Sequence, residues 1–526
     1  MRTDNGIQRT EYTGQRKDGR VFVICLLSSV LCLLPSVTAY AATEFESTIK
    51  QDGTGDYTTL VTWEAVNQCD LTTSVVLSHN GITGTIADNS FVKGAVSGAY
   101  GTVTHCTYTQ ICIKGIIGTF QNAEQINKTD GLNGSISSPA ANVTASSAPD
   151  SVIAVAKIDK SWSIAESSVI NIDGWTTSSD NYIRIYTTSS ARHNGTWNNT
   201  GIFTLEVTAA ANNTDLVDIK ENYVRIEGLQ VHLINSGDYT GCSAINMDPQ
   251  VATSEIIVNN NILKGTISGT SSEAIGIYGN NADITAKVYN NLVYNFVNGG
   301  TANKAGIKAA VAGGTYYLYN NTVYGNYEGI NAAAGTVVAK NNLANGNTIG
   351  KDYLGTFHAD STHNLSGDTT APVYNTYYTS KQVFFEDETG SPPDLRLGSG
   401  DTEAIEKGTA LSADPDGYLS FASDIHGEAR PTGTLWDIGA DESGDNTAPI
   451  LTSITAERLY DLSDTITLTF DEQMDTSTIT TGCNTLLIKY SDDAAGTNAV
   501  VIPTKYATVA WSVGDTVATI TLDESA

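Results

Sequence analysis

From about 165 to 370 the chain is written in short runs of alternating apolar and polar residues, each broken by asparagine. "SEIIVNNNILKG" (254–265), "ITAKVYNNLVYNF" (284–296) and "YLYNNTVYGN" (317–326) share this plan. Alternation with period two predicts half-buried β-strands. Asparagine is depleted in strands, so a pair of them that returns at intervals belongs to the architecture. The pairs are Asn260-Asn261, Asn290-Asn291, Asn320-Asn321 and Asn341-Asn342, followed by His363-Asn364, with Glu227-Gly228 in the equivalent place upstream. Their second members lie 33, 30, 30, 21 and 22 residues apart. A second signal, Ala244-Ile245, Gly276-Ile277, Gly306-Ile307 and Gly329-Ile330, precedes the pairs by 15, 13, 13 and 11 residues. Each repeat therefore holds at least two short strands flanked by turn residues.

One coil of some 20–30 residues cannot bury its aliphatic side chains alone. Stacked coils can, each strand pairing in parallel with its equivalent one coil away at about 4.8 Å. This predicts columns of Ile and Val inside a solenoid. A corner between strands needs a residue that tolerates left-handed backbone, which asparagine does better than any residue but glycine. Stacked asparagines also hydrogen-bond along a column as amide ladders. The pairs are accordingly expected at the corners of a parallel β-helix; the competing reading is a row of ligand-binding amides.

Outside the repeats the pattern changes. Residues 1–41 read as a signal peptide: Arg2, Arg9, Arg16, Lys17 and Arg20 precede "VFVICLLSSVLCLL" (21–34), Pro35 and a small-residue cleavage site at Ala39-Tyr40-Ala41. The apolar run is shorter than the roughly 20 residues of a spanning helix, and no second such run follows. The mature chain is expected to be extracellular or at the cell surface, without a transmembrane segment. "TTLVTWEAVNQ" (58–68) predicts a short helix with Leu60, Trp63, Ala65 and Val66 on one apolar face. Residues 73–164 alternate short strands with glycine turns and include "NGSISSPAANVTASSAPDS", a β-rich insertion and linker. After "SGDNTAPI" (443–450) a new alternating pattern begins, with about five candidate strands before Ala526.

Charge narrows the partners. Lys and Arg number 28 against 57 Asp and Glu, a formal charge of −29. The leader holds five basic and three acidic residues, so its removal takes the remainder to near −31. Such a surface repels nucleic acid and anionic membrane, and a polyanionic polysaccharide unless Ca2+ bridges the two. Beyond the leader stand Cys69, Cys106, Cys112, Cys242 and Cys483, a sparse and odd set unlike a disulfide scaffold. Cys106 and Cys112 are close enough to pair locally, while His105 as sole added ligand falls short of a zinc site.

With these residues in view, 165–445 resembles the secreted right-handed parallel β-helix repeat proteins of the pectate-lyase-like superfamily. "TIKQDGTGDYTTLVTWEAVNQCDL" (48–71) is similar to the segment that caps many such bacterial proteins, which makes 42–72 an N-terminal cap. "INIDGWTTSSDNYIRIYTTSSARHNGTWNN" (170–199) is similar to their first rungs. "PDLRLGSGDTEAIEKGTAL" (393–411), "DIHGEARP" (424–431) and "DIGADE" (437–442) resemble their closing cap. "DTITLTFDEQMD" within 453–479 resembles bacterial immunoglobulin-like modules, so 446–526 is expected to be a truncated Ig-like domain. The insertion resembles small β modules of virion-associated fibres. The resemblance implies an all-β chain: a right-handed parallel β-helix followed by an incomplete Ig-like β-sandwich.

Candidate chemistry is sparse. Glycoside hydrolysis needs two carboxyl groups at fixed separation. Asn213-Thr214-Asp215 matches the first of the galacturonan-hydrolase signatures, and Asp218 lies near it. No Asp-Asp pair or Gly-His-Gly follows, and "VRIEG" puts Glu227 where a basic close belongs. A lyase needs a basic residue beside calcium-holding carboxylates. Lys264, Lys287 and Lys340 sit at unequal offsets from their Asn pairs and form no ladder, reading instead as solvated surface. Asp248, Glu255, Glu273, Asp283 and Glu328 are scattered likewise. The "DPDG" turn (414–417) offers acids for structural calcium. Tyr278, Tyr289, Tyr294, Tyr316, Tyr317, Tyr319, Tyr324 and Tyr327 crowd the repeats, either stacking sugar rings or packing as ordinary strand residues. No catalytic residue follows from spacing. The expected role is binding or presentation toward a polysaccharide or cell-surface glycan. A lyase or glycosidase with an unrecognised site is the alternative, and a virion-associated fibre the second alternative.

Overall fold

The structure, a computed structural model, describes residues 43–443 except 108, 147–149, 161, 251–253, 270–271, 298–303, 348–349, 373–377, 415–416, 418 and 432–434, and, beyond 443, the strands between 451 and 522. The expected signal peptide lies outside the described residues. Those described are almost wholly β and fall into two compact units.

The first unit takes in 69–154 and 176–182. Its strands Val75–Thr83, Phe91–Gly94, Tyr100–Cys106, Gln110–Ile117, Gln125–Thr129 and Asn142–Ala145 pair antiparallel around Leu77, Val103, Ile113, Phe120 and Ile126. The local Cys106–Cys112 bond that their spacing allows does not form. Cys106 lies opposite Ile111 and Cys112 opposite His105, which puts the two thiols on opposite sheet faces. Both are free, as are Cys69 and Cys242; Cys483 lies outside the described residues.

The second unit takes in 46–68, 155–175 and the chain from 183 onward. Its helix, Leu60–Asn67, is capped by the Thr59 hydroxyl, and the Glu166 carboxylate accepts the Leu60 and Val61 amides at 3.1 Å each. The buried face is Leu60, Trp63, Glu64 and Asn67. The expected Ala65 is exposed. Glu64 takes the inner position because Trp175 Nε1 donates to it at 3.1 Å and Gln68 at 3.0 Å.

From 170 onward three parallel sheets are built turn by turn. The first contains Ile183–Thr187, Tyr223–Glu227, Ser254–Asn259, Ile284–Tyr289, Thr315–Tyr319 and Thr336–Lys340. The second contains Thr204–Thr208, Gln230–Asn235, Ile262–Ile267, Leu292–Tyr294, Thr322–Tyr324, Leu343–Asn345 and Leu365–Ser366. The third contains Ile170–Ile172, Asp215–Ile219, Cys242–Met247, Ala274–Gly279, Lys304–Ala309, Glu328–Ala332 and Tyr353–Gly355. The chain visits third, first and second sheets in turn, so each coil carries three strands, an arrangement compatible with a β-helix-like solenoid. Inside, Val217, Ile245, Ile277, Ile307 and Ile330 form one buried column and Val231, Leu263, Val293, Val323 and Ala344 another. The repeat shortens from 30 to 21 residues chiefly because the link between second and third sheets contracts from 295–303 to 325–327, with a smaller loss between third and first sheets, from 310–314 to 333–335.

The two members of each Asn pair do different work. The first takes the left-handed backbone: φ is +56° at Asn260, +52° at Asn290, +48° at Asn320 and +55° at Asn341, with His363 at +54°. The second points inward and is fully buried. Asn261 donates through N and Nδ2 to Asn291 Oδ1, both at 3.0 Å. Asn291, Asn321 and Asn342 repeat this double bond to Asn321, Asn342 and Asn364 at 2.9–3.1 Å. Each Nδ2 also reaches a backbone carbonyl of the coil before, as Asn321 does to Val288 at 2.9 Å. A second ladder, unseen in the sequence, turns the next corner. After left-handed Gly325 and Gly346, Asn326 N donates to Asn347 Oδ1 at 2.8 Å, and Asn326 Oδ1 accepts from Phe296 N at 2.9 Å.

The first members face outward onto the segment that follows the last coil. Asn290 Nδ2 donates to Ser423 O at 2.6 Å, Asn320 to Asp437 O and Gly439 O at 3.0 and 2.9 Å, and Asn341 to Thr409 O at 2.8 Å. The competing amide-row reading is thus met from within: the row holds the chain's own closing segment. That segment covers the apolar outer side of the second sheet, packing Phe385, Leu395, Leu397 and Ile438 on Ile262, Leu292, Leu343 and Leu365. Trp436, Leu411 and Leu419 cover Tyr319 and Val338 of the first.

Beyond it, Leu451–Ala456, Thr465–Phe470, Val517–Leu522 and Ala507–Trp511 make a four-stranded antiparallel sheet, and Leu487–Tyr490 pairs with Val500–Pro503.

Asn321→Ala removes the side-chain partners of the Asn291 main-chain N–H and the Val288 carbonyl in the interior, and should cost about 2–4 kcal/mol in urea unfolding. Asn320→Ala should cost less and chiefly expose 404–442 to limited proteolysis. Equal effects of the two would contradict this division of labour.

Candidate functional site

With the first and second sheets partly covered by the closing segment, the outward positions of the third sheet carry the polar groups. Strand register sets Asn171, Asp218, Asn246, Tyr278, Lys308 and Asn331 side by side on successive coils. Asp215 lies beside this column, in register with Ser243, whose hydroxyl donates to it. Asn246 Nδ2 donates to both Asp215 Oδ2, at 3.2 Å, and Asp218 Oδ1, at 3.0 Å. One amide nitrogen thus holds two carboxyl groups together. Lys220 Nζ stands 3.3 Å from Asp218, and Asn331 Nδ2 donates to Glu328 at 2.6 Å. The Asn246 and Asn331 side-chain oxygens are buried and meet no donor.

The electrostatics follow from burial. Burial pushes the Asp215 carboxyl up to about 6, helped by the charges of Asp218 and Asp248 and opposed by the Ser243 hydrogen bond. Tyr278 is raised by burial and then by Asp215, Glu273 and Asp248. Lys308 is lowered by burial against the pull of Glu328 and Glu273; its Nζ lies 5.8 Å from the Tyr278 ring centroid. A carboxyl that keeps its proton to about pH 6 beside another carboxyl can act as acid or hydrogen-bond donor.

Structure and sequence meet at Asp215 and Asp218, which folding does bring together. Asn213 and Thr214 serve the preceding turn instead: Asn213 has φ +57° and the Thr214 hydroxyl donates to Ala211 O at 2.8 Å. The lysines are not solvated as expected. Lys340 is buried against Asp414 at 2.7 Å, Lys287 pairs with Glu255 at 2.7 Å, and Lys264 lies over the Trp197 ring. Asp414 is correspondingly spent: Lys340, the Tyr319 hydroxyl and the Leu419 amide occupy it, so the expected "DPDG" calcium turn has lost its first acid. Pro415 and Asp416 lie outside the described residues. Of the tyrosines, Tyr294, Tyr316 and Tyr319 are core and Tyr289 stacks on Phe421. Tyr278, Tyr317, Tyr324 and Tyr327 keep partial exposure.

A concave region, about 600 Å³, lies beside the closing segment between Arg192, His193, Arg396, His426, Glu428 and Asp441. Asp424, His426 and Glu428 place their ligand atoms within 4.8 Å of one another there. The network reads as structural. Asp424 Oδ1 accepts the backbone amides of His426, Gly427 and Glu428, and Oδ2 accepts from Glu442 N and His426 Nδ1. Burial pushes the His426 imidazole down, but hydrogen bonds to Asp424 and Asp441, together with their charges, carry it up to about 10. An imidazolium there opposes a metal ion.

Compared with known proteins, the chain matches no family model, no curated protein and no solved structure.

Two pH effects are expected. Asp215 binds its proton more tightly folded than unfolded, so its contribution to stability falls as pH rises from about 4 to 6 and is level above. The difference titration between the chain and Asp215→Asn should centre near pH 6; a midpoint below 4.5 would contradict the burial argument. His426 runs the other way along the scale: its stabilisation is full below pH 6.5 and lost as pH climbs toward 10. Proteolysis of the closing segment should therefore accelerate over that range in the chain and not in His426→Gln.

Proposed function

We propose that this is an exported right-handed parallel β-helix protein of the pectate-lyase-like kind, with an Ig-like module behind it, that binds carbohydrate along its third sheet at the cell surface or after secretion. The three-strand parallel coils and the corner amide ladders support the solenoid, and the antiparallel strands after 450 support the module. The leader-like N-terminus supports export. The observation that carries the function is the polar column Asp218, Asn246, Tyr278, Lys308 and Asn331, repeated once per coil. Groups spaced at about 4.8 Å along a straight face suit a ligand that is itself extended and repeating. Tyr278 supplies the flat apolar surface that a sugar ring covers, and its neighbours supply partners for hydroxyls.

A second reading, glycoside hydrolysis, is favoured by one feature. Retaining glycosidases set their two carboxyl groups about 5–5.5 Å apart, and Asp215 and Asp218 share one amide nitrogen, with burial raising the Asp215 carboxyl. The lyase reading has less support, since Lys264, Lys287 and Lys340 are engaged elsewhere.

Calorimetric titration of the whole chain with a panel of soluble polysaccharides should detect binding, and Tyr278→Ala should weaken it about tenfold, near 1.4 kcal/mol. Binding unaffected by this substitution, or no binding at all, would overturn the proposal. New reducing ends that vanish in Asp215→Asn would shift the assignment from binding to hydrolysis.

A further inference from the structure

Resting on the carbohydrate-binding reading, we infer that the third sheet takes a polysaccharide of amino sugars, held through its ammonium groups. The face has an excess of negative charge and of acceptors. Asp218, Asp248, Glu273 and Glu328 stand against Lys220, Lys304 and Lys308, and the Asp248 charge reaches Asp215. The Asn246 and Asn331 amide nitrogens are spent on Asp215, Asp218 and Glu328. Their oxygens, on side chains 5% and 7% exposed, are left without a donor. A buried acceptor with no partner costs roughly 1–3 kcal/mol, a demand that only a donor relieves.

An ammonium group brings three donors, no acceptor and a positive charge. A uronate brings the opposite: more acceptors, and a carboxylate set against Asp218 and Asp248. The surrounding field agrees, since a chain of formal charge −29 repels polyanions at long range and draws polycations. Tyr278 agrees as well. The Lys308 ammonium already lies 5.8 Å from its ring centroid, within the distance at which a cation is attracted to an aromatic face. The ring that would carry a sugar thus tolerates the charge that an amino sugar brings.

The test compares three β-1,4-linked or α-1,4-linked polymers of equal length at pH 6: polyglucosamine, its fully N-acetylated form and polygalacturonate, each titrated into the whole chain. Polyglucosamine should bind at least tenfold more tightly than the acetylated polymer, and polygalacturonate should not bind. Asp218→Asn should weaken polyglucosamine about tenfold. Asp130→Asn, the same charge change on an exposed residue of the first unit, should leave it unchanged. Equal losses in the two variants would show bulk charge attraction alone and overturn the inference. Tighter binding of the acetylated or the uronate polymer would overturn it while leaving the carbohydrate reading intact. Failure of all three polymers would remove both.

Discussion

The structure depends on one hydrogen-bonded device, the buried side-chain amide at the corner of each coil. A sharp corner inside a stack leaves backbone N–H and C=O groups facing inward with no strand to pair them. The second asparagine of each pair supplies the missing partners. Its oxygen accepts the corner amide of the coil before, and its nitrogen donates to that coil's carbonyl. An amide side chain does both at once, from separate atoms. Because each amide bonds the next, from Asn261 to Asn364, the device fixes the register of successive coils as well as the bend. Aliphatic columns then fill the interior without deciding where it turns.

The first asparagine couples that corner to the rest of the unit. Left-handed backbone turns its side chain out, where it meets carbonyls of a segment 68–133 residues further along. The closing segment is therefore held in register with the coils. It covers the apolar outer side of the second sheet and ties its own loops together through Arg430, Glu442, Asp424 and His426. The third sheet carries an outward polar column, while the first keeps Arg184, Arg225, Lys287 and Tyr317 partly exposed.

How far this was legible in the chain follows from the range of each interaction. The left-handed first asparagine and the laddering second one are properties of a corner, so their spacing revealed them. The second ladder left only a thin trace, Phe296, Asn326 and Asn347 each standing five residues after an Asn pair's second member, and it went unread. Contacts across the fold were hidden. Glu64 replaced Ala65 on the helix because of Trp175, more than a hundred residues away, and Lys340 was buried by Asp414, 74 residues on. The local Cys106–Cys112 pairing failed on strand parity, which needs the register of a hairpin. Asp215 and Asp218 stood out only through a short motif. What makes them a site is Asn246, 31 and 28 residues distant, and that requires knowing which coil lies above which.

The central claim, that inward amides hold the coils in register while outward amides hold the closing segment, is most directly tested by hydrogen exchange of side-chain amides in a selectively Asn-labelled chain. The Nδ2 protons of Asn261, Asn291, Asn321, Asn342 and Asn364 should exchange only through unfolding of the coils, and those of Asn290, Asn320 and Asn341 sooner, as the closing segment lifts. Rapid exchange of the inner set at the rate of exposed amides would contradict the account.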